Sequence, residues 1–179
     1  MAGIFAIVGP SGVGKDTVID AVCAAAPDVV RIRRSITRAS DAGGEDFAGV
    51  SEAEFDAAVS RGDFILHWQA HGMRYGVPRR MLDLAGQGKA VLFNGSRAML
   101  ADAVRVLPQL RVIHLTARPD ILAQRLADRG RETPDEIAKR LARADLALPD
   151  GLDVVEIDNS GPLETAVSAF LNAVQPVRA

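Results

Sequence analysis

The chain has 179 residues, 48% of them hydrophobic and 25% charged, with a net charge of −2 at pH 7. This length suits one domain with a full core, and the charge argues against a broad nucleic-acid surface, which needs a positive field. The single cysteine and the absence of a basic leader or long apolar run in the opening MAGIFAIVG predict a cytoplasmic protein that does not enter a membrane.

Strand-like and helix-like segments alternate along the chain. Short apolar runs rich in β-branched residues occur at 4–8, 29–33, 90–93, 110–116 and 153–157. Ser51 with Glu54, and Thr133 with Glu136, have the spacing of capping boxes that begin helices. This alternation predicts an α/β fold in three layers, with a mostly parallel central sheet covered by helices on both faces.

The segment GPSGVGKDT, residues 9–17, follows the first strand directly and opens a helical pattern. Its glycines allow a nest of backbone N–H donors, and the helix N-terminus adds partial positive charge. Lys15 can then reach the β- and γ-phosphates, so the segment predicts a P-loop NTPase fold that binds ATP. The predicted nucleotide-binding residues are Gly9, Pro10, Ser11, Gly12, Val13, Gly14, Lys15, Asp16 and Thr17.

Asp16 stands where this motif normally has a serine or threonine hydroxyl for magnesium. It could serve as a first-turn helix acid, as a ligand of Mg²⁺ directly or through water, or as a change that weakens the site. We favour magnesium, because a dication would remove the repulsion between the carboxylate and the phosphates. The strand ending in Asn94 has an amide where a second metal-orienting acid could stand, so Asp16 could compensate for it.

Residues 34–89 break the strand–helix rhythm and read as an acceptor-binding lobe inserted into a core formed by 1–33 and 90–179. Ser35, Thr37 and Arg38 form a compact donor set suited to a phosphate. The only tryptophan and the only tyrosine of the chain, Trp68 and Tyr75, also fall in this lobe.

A cluster of arginines between residues 125 and 143 predicts a lid. Arg125 and Arg129 are four residues apart on one helical pattern, Arg140 and Arg143 are three apart on the next, and Gly130 lies at the joint. Each pair therefore shares a helix face. Such arginines can neutralise a phosphoryl group during transfer, and we expect Lys15, Arg125, Arg129 and Arg140 to be catalytic.

GPSGVGK, RSITR, YG, and RG followed by KRL resemble the guanylate kinases over nearly the whole chain. The resemblance implies a nucleoside-monophosphate-kinase-like fold with an acceptor lobe and a lid. This sequence departs from that family where the lobe would read guanine, with Leu66 for a glutamate and Val77 for a hydroxyl. It also has Phe47 for a tyrosine and Asp41 for a second phosphate-binding arginine.

A closer resemblance is to the guanylate-kinase-like ribose 1,5-bisphosphate phosphokinases of phosphonate utilisation. It rests on GPSG-x-GKD, W-x-A-x-G-x-x-YGV, NGSRA and RGRE. It implies transfer of the γ-phosphoryl of ATP to the 1-phosphate of ribose 1,5-bisphosphate, which yields 5-phosphoribosyl 1-diphosphate. Ser35, Arg38, Tyr75, Asn94 and Arg97 would bind this small-molecule substrate, with Arg97 a candidate for the second phosphate.

Three other functions stay open at this point. A guanylate kinase with altered base contacts would convert GMP to GDP, and an inactive guanylate-kinase-like domain would bind protein partners. The inactive domain would not need the loop lysine or the lid arginines. A sugar or shikimate-type kinase would need a general base near an alcohol, and the lobe offers no clear one. The oligomeric state is open, with a homodimer among the possibilities.

Overall fold

The computed structural model describes residues 3–39, 46–128, 130, 133–142 and 147–174. Its strands are β1 (Gly3–Val8), β2 (Val29–Arg31), β3 (Ser35–Ile36), β4 (Ala48–Gly49), β5 (Phe64–Ala70), β6 (Met73–Pro78), β7 (Ala90–Asn94), β8 (Leu110–Thr116) and β9 (Asp153–Asp158). Its helices are α1 (Lys15–Ala25), α2 (Glu52–Arg61), α3 (Met81–Gly86), α4 (Leu100–Val106), α5 (Pro119–Asp128), α6 (Pro134–Leu141) and α7 (Leu163–Val174), with a 3₁₀ turn at Arg97–Met99.

Five strands form a parallel sheet in the order β2-β7-β1-β8-β9. Alternate side chains of its strands enter two separate apolar clusters, one containing residues of α1 and α7 and the other containing residues of α3 and α4. The three central strands β7, β1 and β8 are buried on both faces, which explains why they read as continuous apolar runs. The predicted three-layer parallel α/β fold is confirmed, and all five predicted runs lie in this sheet.

The helix starts follow the predicted chemistry. At α2 the Ser51 hydroxyl accepts from the Glu54 N–H while the Glu54 carboxylate accepts from the Ser51 N–H. Thr133 and Glu136 make the same reciprocal pair at the start of α6. Each capping box satisfies backbone donors that the first helical turn leaves without partners, so both helices begin at defined residues.

A second, four-stranded sheet has the order β4-β3-β6-β5. Its hairpin β5–β6 closes through His71 and Gly72, whose φ angles of 52° and 73° match a two-residue turn with both central residues left-handed. The face that carries Leu66 and Val77 packs into the same apolar cluster as β1 and β7 of the main sheet. The second sheet therefore shares one apolar core with the main sheet.

None of the helices in the described part of the chain combines the length and apolar character that crossing a bilayer requires.

Candidate active site

The phosphate loop lies between β1 and α1, as its sequence predicts. Gly12 and Gly14 have φ angles of 86° and 89°, a left-handed conformation that glycine adopts without steric cost. A Cβ on Gly9 would lie 2.3 Å from the carbonyl oxygen of Leu115, so the loop passes too close to β8 for any other residue. This backbone forms the cradle that a chain of phosphates would occupy.

Lys15 folds back over this loop. Its Nζ donates to the carbonyl oxygens of Gly9 at 2.9 Å and Pro10 at 3.1 Å. These contacts hold the ammonium group on the cradle itself. Thr17, also predicted to bind nucleotide, lies exposed on the first turn of α1.

Asn159 and Arg125 hold the loop from behind. The carbonyl oxygen of Val13 accepts from Asn159 Nδ2 at 2.7 Å and from Arg125 Nη1 at 3.3 Å. Arg125 Nη2 also donates to the carbonyl oxygen of Asn159 at 2.9 Å. The structure thus places the Arg125 guanidinium against the backbone of the loop and of the segment after β9. Asn159, which is 4% exposed, was missed from the sequence, where a single asparagine after a strand gives little signal.

Asp16 is held by two donors from neighbouring strands. Its Oδ1 accepts from Arg31 Nη2 at 2.5 Å and from Asn94 Nδ2 at 3.0 Å, and Arg31 Nη1 reaches Asp20 at 2.8 Å. The pKa of Arg31 lies above its ordinary value; burial favours the neutral guanidine, but Asp16 and Asp20 favour the charged form more. Arg31 therefore offsets the negative charge that Asp16 brings to the loop.

A cavity of about 240 Å³ joins the phosphate loop to the second sheet. It contains four of the residues predicted for acceptor or metal binding, Asp16, Arg38, Tyr75 and Asn94. The described residues that line it are Ser11, Gly12, Gly14, Lys15, Asp16, Arg34, Ile36, Arg38, Tyr75, Asn94 and Gly95. Residues from the loop, from β7 and from the inserted lobe are thus brought to one space.

Arg34 is a lining residue that sequence reasoning missed. It is 8% exposed, and its guanidinium carbon lies 5.5 Å from the ring centroid of Trp68 and 5.0 Å from that of Tyr75. The two rings stack on each other at 5.3 Å with an interplanar angle of 9°. Arg34 directly precedes the two-residue strand β3, and the pattern RSITR does not say which of its side chains enter the cavity.

Arg38 is placed in the same way on a different ring. Its guanidinium carbon lies 4.4 Å from the centroid of Phe47. Phe47 is itself 3% exposed and stands where the resemblance to guanylate kinases expected a tyrosine. Among the described residues, the cavity therefore contains two guanidinium groups, each positioned by an aromatic surface.

Two predicted acceptor residues lie elsewhere. Ser35 faces the opposite side of its strand and lines another groove, together with Phe55 and Arg79, so Ser35 and Arg38 do not form one donor set. Arg97 begins the 3₁₀ turn and is not among the residues that line the 240 Å³ cavity. Arg97 instead acts on His114, whose pKa is lowered by burial and by this positive charge, against the raising effect of Glu156.

The remaining lid predictions concern Arg129 and Arg140. Arg129 lies outside the described residues, and so does the side chain of Arg140, although its backbone belongs to α6.

The two positions at which the resemblance to guanylate kinases expects base-reading side chains are part of the core. Leu66 is 6% exposed and Val77 is fully buried, and both pack with Ile32 and Met81. These side chains have no hydrogen-bonding groups. The interior of the lobe at this point therefore offers apolar surface where a guanine would need polar partners.

The donor set fits a nucleotide with magnesium. Within the described residues no group of three or more histidine, cysteine, aspartate or glutamate side chains could hold a metal. Mg²⁺ usually takes only one or two carboxylates and completes its shell with water and substrate phosphates. Asp16, the carboxylate among the described lining residues, lies beside the phosphate cradle and meets that requirement.

Comparisons with known proteins agree with this geometry. A protein-family model described as guanylate kinase matches residues 2–175. The crystal structure of a guanylate kinase from Anaplasma phagocytophilum has a TM-score of 0.68 and 21% identity, covering 97% of this chain and 84% of that one. At this identity the likeness concerns the fold alone.

Curated relatives are closer in sequence. Ribose 1,5-bisphosphate phosphokinase PhnN of Ruegeria sp. (strain TM1040) is 52% identical over 177 residues, which cover 98% of this chain and 93% of the relative. The protein of the same name from Brucella melitensis biotype 2 is 46% identical over 96% of this chain and 91% of its own length. The chain belongs to the guanylate kinase family and, within it, to the ribose 1,5-bisphosphate phosphokinases.

Proposed function

We propose that this protein transfers the γ-phosphoryl group of ATP to the 1-phosphate of ribose 1,5-bisphosphate, forming 5-phosphoribosyl 1-diphosphate and ADP. The observation that carries the proposal is the 240 Å³ cavity, which joins a phosphate cradle to two aromatic-backed guanidinium groups. The names of the curated relatives support the same reaction.

The reaction requires the protein mainly to align the two substrates and to neutralise their negative charge. The attacking atom is an oxygen of the acceptor's 1-phosphate, which is largely ionised at neutral pH because its second pKa is about 6. A bond forms between this oxygen and the γ-phosphorus, while the bond from the γ-phosphorus to the β–γ bridging oxygen breaks and ADP leaves. No general base is required, so catalysis rests on holding two anions together.

The loop would hold the nucleotide. Backbone N–H groups of the loop would cradle the phosphates, and Lys15 would exchange its contacts with Gly9 and Pro10 for the β- and γ-phosphates. Mg²⁺, when bound, would neutralise charge on the β- and γ-oxygens, and Asp16 is the side chain that would hold it, directly or through water. Asn94 and Arg31 would keep the Asp16 carboxylate in place.

The acceptor would enter from the lobe side, where Arg38 and Tyr75 would hold phosphate. We further propose the division into core, acceptor lobe (about 34–89) and lid (about 125–143). Arg129 and Arg140 would cover the transferring group when the lid closes. Arg125, whose contacts in this structure are to the backbone of Val13 and Asn159, would support them by fixing the loop.

GMP is the principal alternative acceptor. The buried apolar side chains at 66 and 77 leave the base without polar partners, and a site that lacks those partners discriminates poorly in favour of a base. The phosphorylated pentose needs only anion-binding groups, which the cavity has.

An acceptor competition tests the proposal. The purified protein is given ATP, Mg²⁺ and equal concentrations of ribose 1,5-bisphosphate and GMP, and the products are separated by anion-exchange chromatography. We expect 5-phosphoribosyl 1-diphosphate and ADP in equal amounts, with little GDP. Rapid formation of GDP without the diphosphorylated pentose would refute the proposal. Lys15→Ala should abolish product formation, whereas Lys89→Ala, which alters an exposed pair with Asp28, should not.

A further inference from the structure

Two guanidinium groups in one small cavity suggest two anions in the ligand. Arg34 and Arg38 both line the cavity that reaches the phosphate loop, and both come from the short segment around β3. A single phosphate monoester carries about −1.5 to −2 charges at pH 7, so an acceptor with two such groups carries about twice that. Neutralising it takes more than one fixed cation.

The placement of Arg34 separates it from an ordinary surface arginine. With 8% of its surface exposed, it has lost most of the solvation that a charged group normally keeps. The stacked pair of Trp68 and Tyr75 faces the guanidinium and restrains its orientation, and a restrained guanidinium is suited to planar recognition of a phosphate. A lysine would not reproduce this arrangement, because its ammonium group is a point charge on a flexible stem.

Arg38 is held independently. Its ring partner is Phe47, before β4, whereas Trp68 and Tyr75 belong to the β5–β6 hairpin. The two guanidinium groups thus have separate supports, and one can be changed without removing the support of the other.

We infer that Arg34 and Arg38 each bind a different phosphate of a bisphosphorylated acceptor, and that Arg34 gives the cavity its preference for two phosphates over one. This inference rests on the proposed function, which supplies the acceptor. It assigns to Arg34 the second-phosphate role that the sequence had suggested for Arg97, a residue that does not line the cavity.

Binding of two monophosphates and the bisphosphate to two arginine variants tests the assignment. Dissociation constants of ribose 1,5-bisphosphate, ribose 1-phosphate and ribose 5-phosphate are measured by calorimetry on the wild type, Arg34→Met and Arg38→Met. We expect each variant to bind the bisphosphate about 10- to 100-fold more weakly, since each loses a charge-assisted interaction. Arg34→Met should weaken one monophosphate and spare the other, and Arg38→Met should show the opposite pattern.

Several results would overturn the inference. One is an unchanged affinity of Arg34→Met for all three ligands. Others are weaker binding of the same monophosphate in both variants, or equally weaker binding of both monophosphates in each variant. The last is a wild type that binds the bisphosphate no more tightly than the monophosphates. Arg61→Met, which removes an exposed arginine of the lobe outside this cavity, is the matched control and should bind all three ligands like the wild type.

Two further measurements keep the test decisive. If Arg34→Met does not fold, as judged by its thermal transition, Arg34→Lys replaces it, with a loss of about 3- to 10-fold expected for the same monophosphate. Turnover of the wild type is followed separately. If each variant weakens a different monophosphate but the wild type shows no turnover, the proposed reaction is contradicted and the phosphate assignment is not. If turnover is normal but the variants do not differ in which monophosphate they weaken, only the assignment is contradicted.

Discussion

At the scale of single residues, Asp16 shows how an acid can stand beside a phosphate cradle. Its Oδ1 is held by Arg31 and Asn94, so the carboxylate is fixed and its charge is partly offset before any ligand arrives. Arg31 also binds Asp20, which is exposed on the next turn of α1. Two carboxylates therefore share one arginine, but only Asp16 lines the cavity.

Because Arg31 pairs with both Asp16 and Asp20, the role of Asp16 in magnesium binding can be tested separately from its ion pair. Asp16→Asn should raise the Mg²⁺ concentration needed for half-maximal activity by about 10- to 100-fold, because the amide is a much weaker magnesium ligand. Asp20→Asn removes the other partner of Arg31 and should leave the magnesium titration nearly unchanged. Rates measured at fixed ATP over a range of Mg²⁺ concentrations decide the matter. Equal shifts in both variants would assign Asp16 only to the ion pair.

At the scale of elements, the β5–β6 hairpin positions the acceptor side chains, and its packing depends on a glycine. A Cβ on Gly76 would lie 2.7 Å from two carbon atoms of the Phe64 ring. That ring packs on Phe55 of α2, with centroids 4.9 Å apart. Gly76 pairs with His67 in the hairpin, next to the pair Trp68–Tyr75 that faces Arg34. The aromatic contact between α2 and the hairpin therefore needs a glycine at this position.

Gly76→Ala should lower the free energy of unfolding by about 1–3 kcal/mol, because the Phe64 ring must move out of its packed position. The matched change Gly86→Ala, at the end of α3 where a Cβ meets nothing within 4 Å, should be neutral or slightly stabilising. Urea unfolding of both variants gives the comparison. Equal stability of the two would show that the ring adapts without cost.

Sequence reasoning worked where one strong local signal decided the outcome. The phosphate loop, the capping boxes at 51–54 and 133–136 and the five apolar strands each carry such a signal, and the structure has all of them. It failed where the outcome depended on which face of a strand a side chain occupies. Ser35 and Arg34 are adjacent in sequence, but Arg34 lines the cavity while Ser35 lines the other groove. The support of the loop by Asn159 depends on a contact 146 residues distant, which no local pattern reveals.

At the scale of the whole molecule, His114 makes the stability of the fold depend on pH. It lies on β8 opposite Glu156 of β9, and burial lowers its pKa below the ordinary value. A histidine with a lowered pKa stays neutral in the folded state, while the unfolded chain takes up a proton near pH 6.5. The unfolded state then binds more protons, so stability is present above that pH and is lost as the pH falls towards the folded pKa.

We therefore expect the free energy of unfolding to decrease as the pH is lowered from about 7 to about 5. His114→Gln should flatten this dependence, because the substituted side chain does not titrate. His67→Gln, which changes an exposed histidine of β5, serves as the control and should keep the wild-type slope. Denaturant titrations at a series of pH values provide the slopes. Parallel curves for the wild type and His114→Gln would exclude His114 as their source.

The carbonyl of Val13 receives hydrogen bonds from Arg125 and Asn159, which follow it by 112 and 146 positions. Contacts of such sequence separation form late, since the intervening chain must first be ordered. During synthesis, the ribosome would have to release the last strand of the parallel sheet before the first loop could take its ligand-ready shape. The affinity for nucleotide would thus depend on completion of the entire sheet, although the residues of the phosphate loop are among the first to be synthesised.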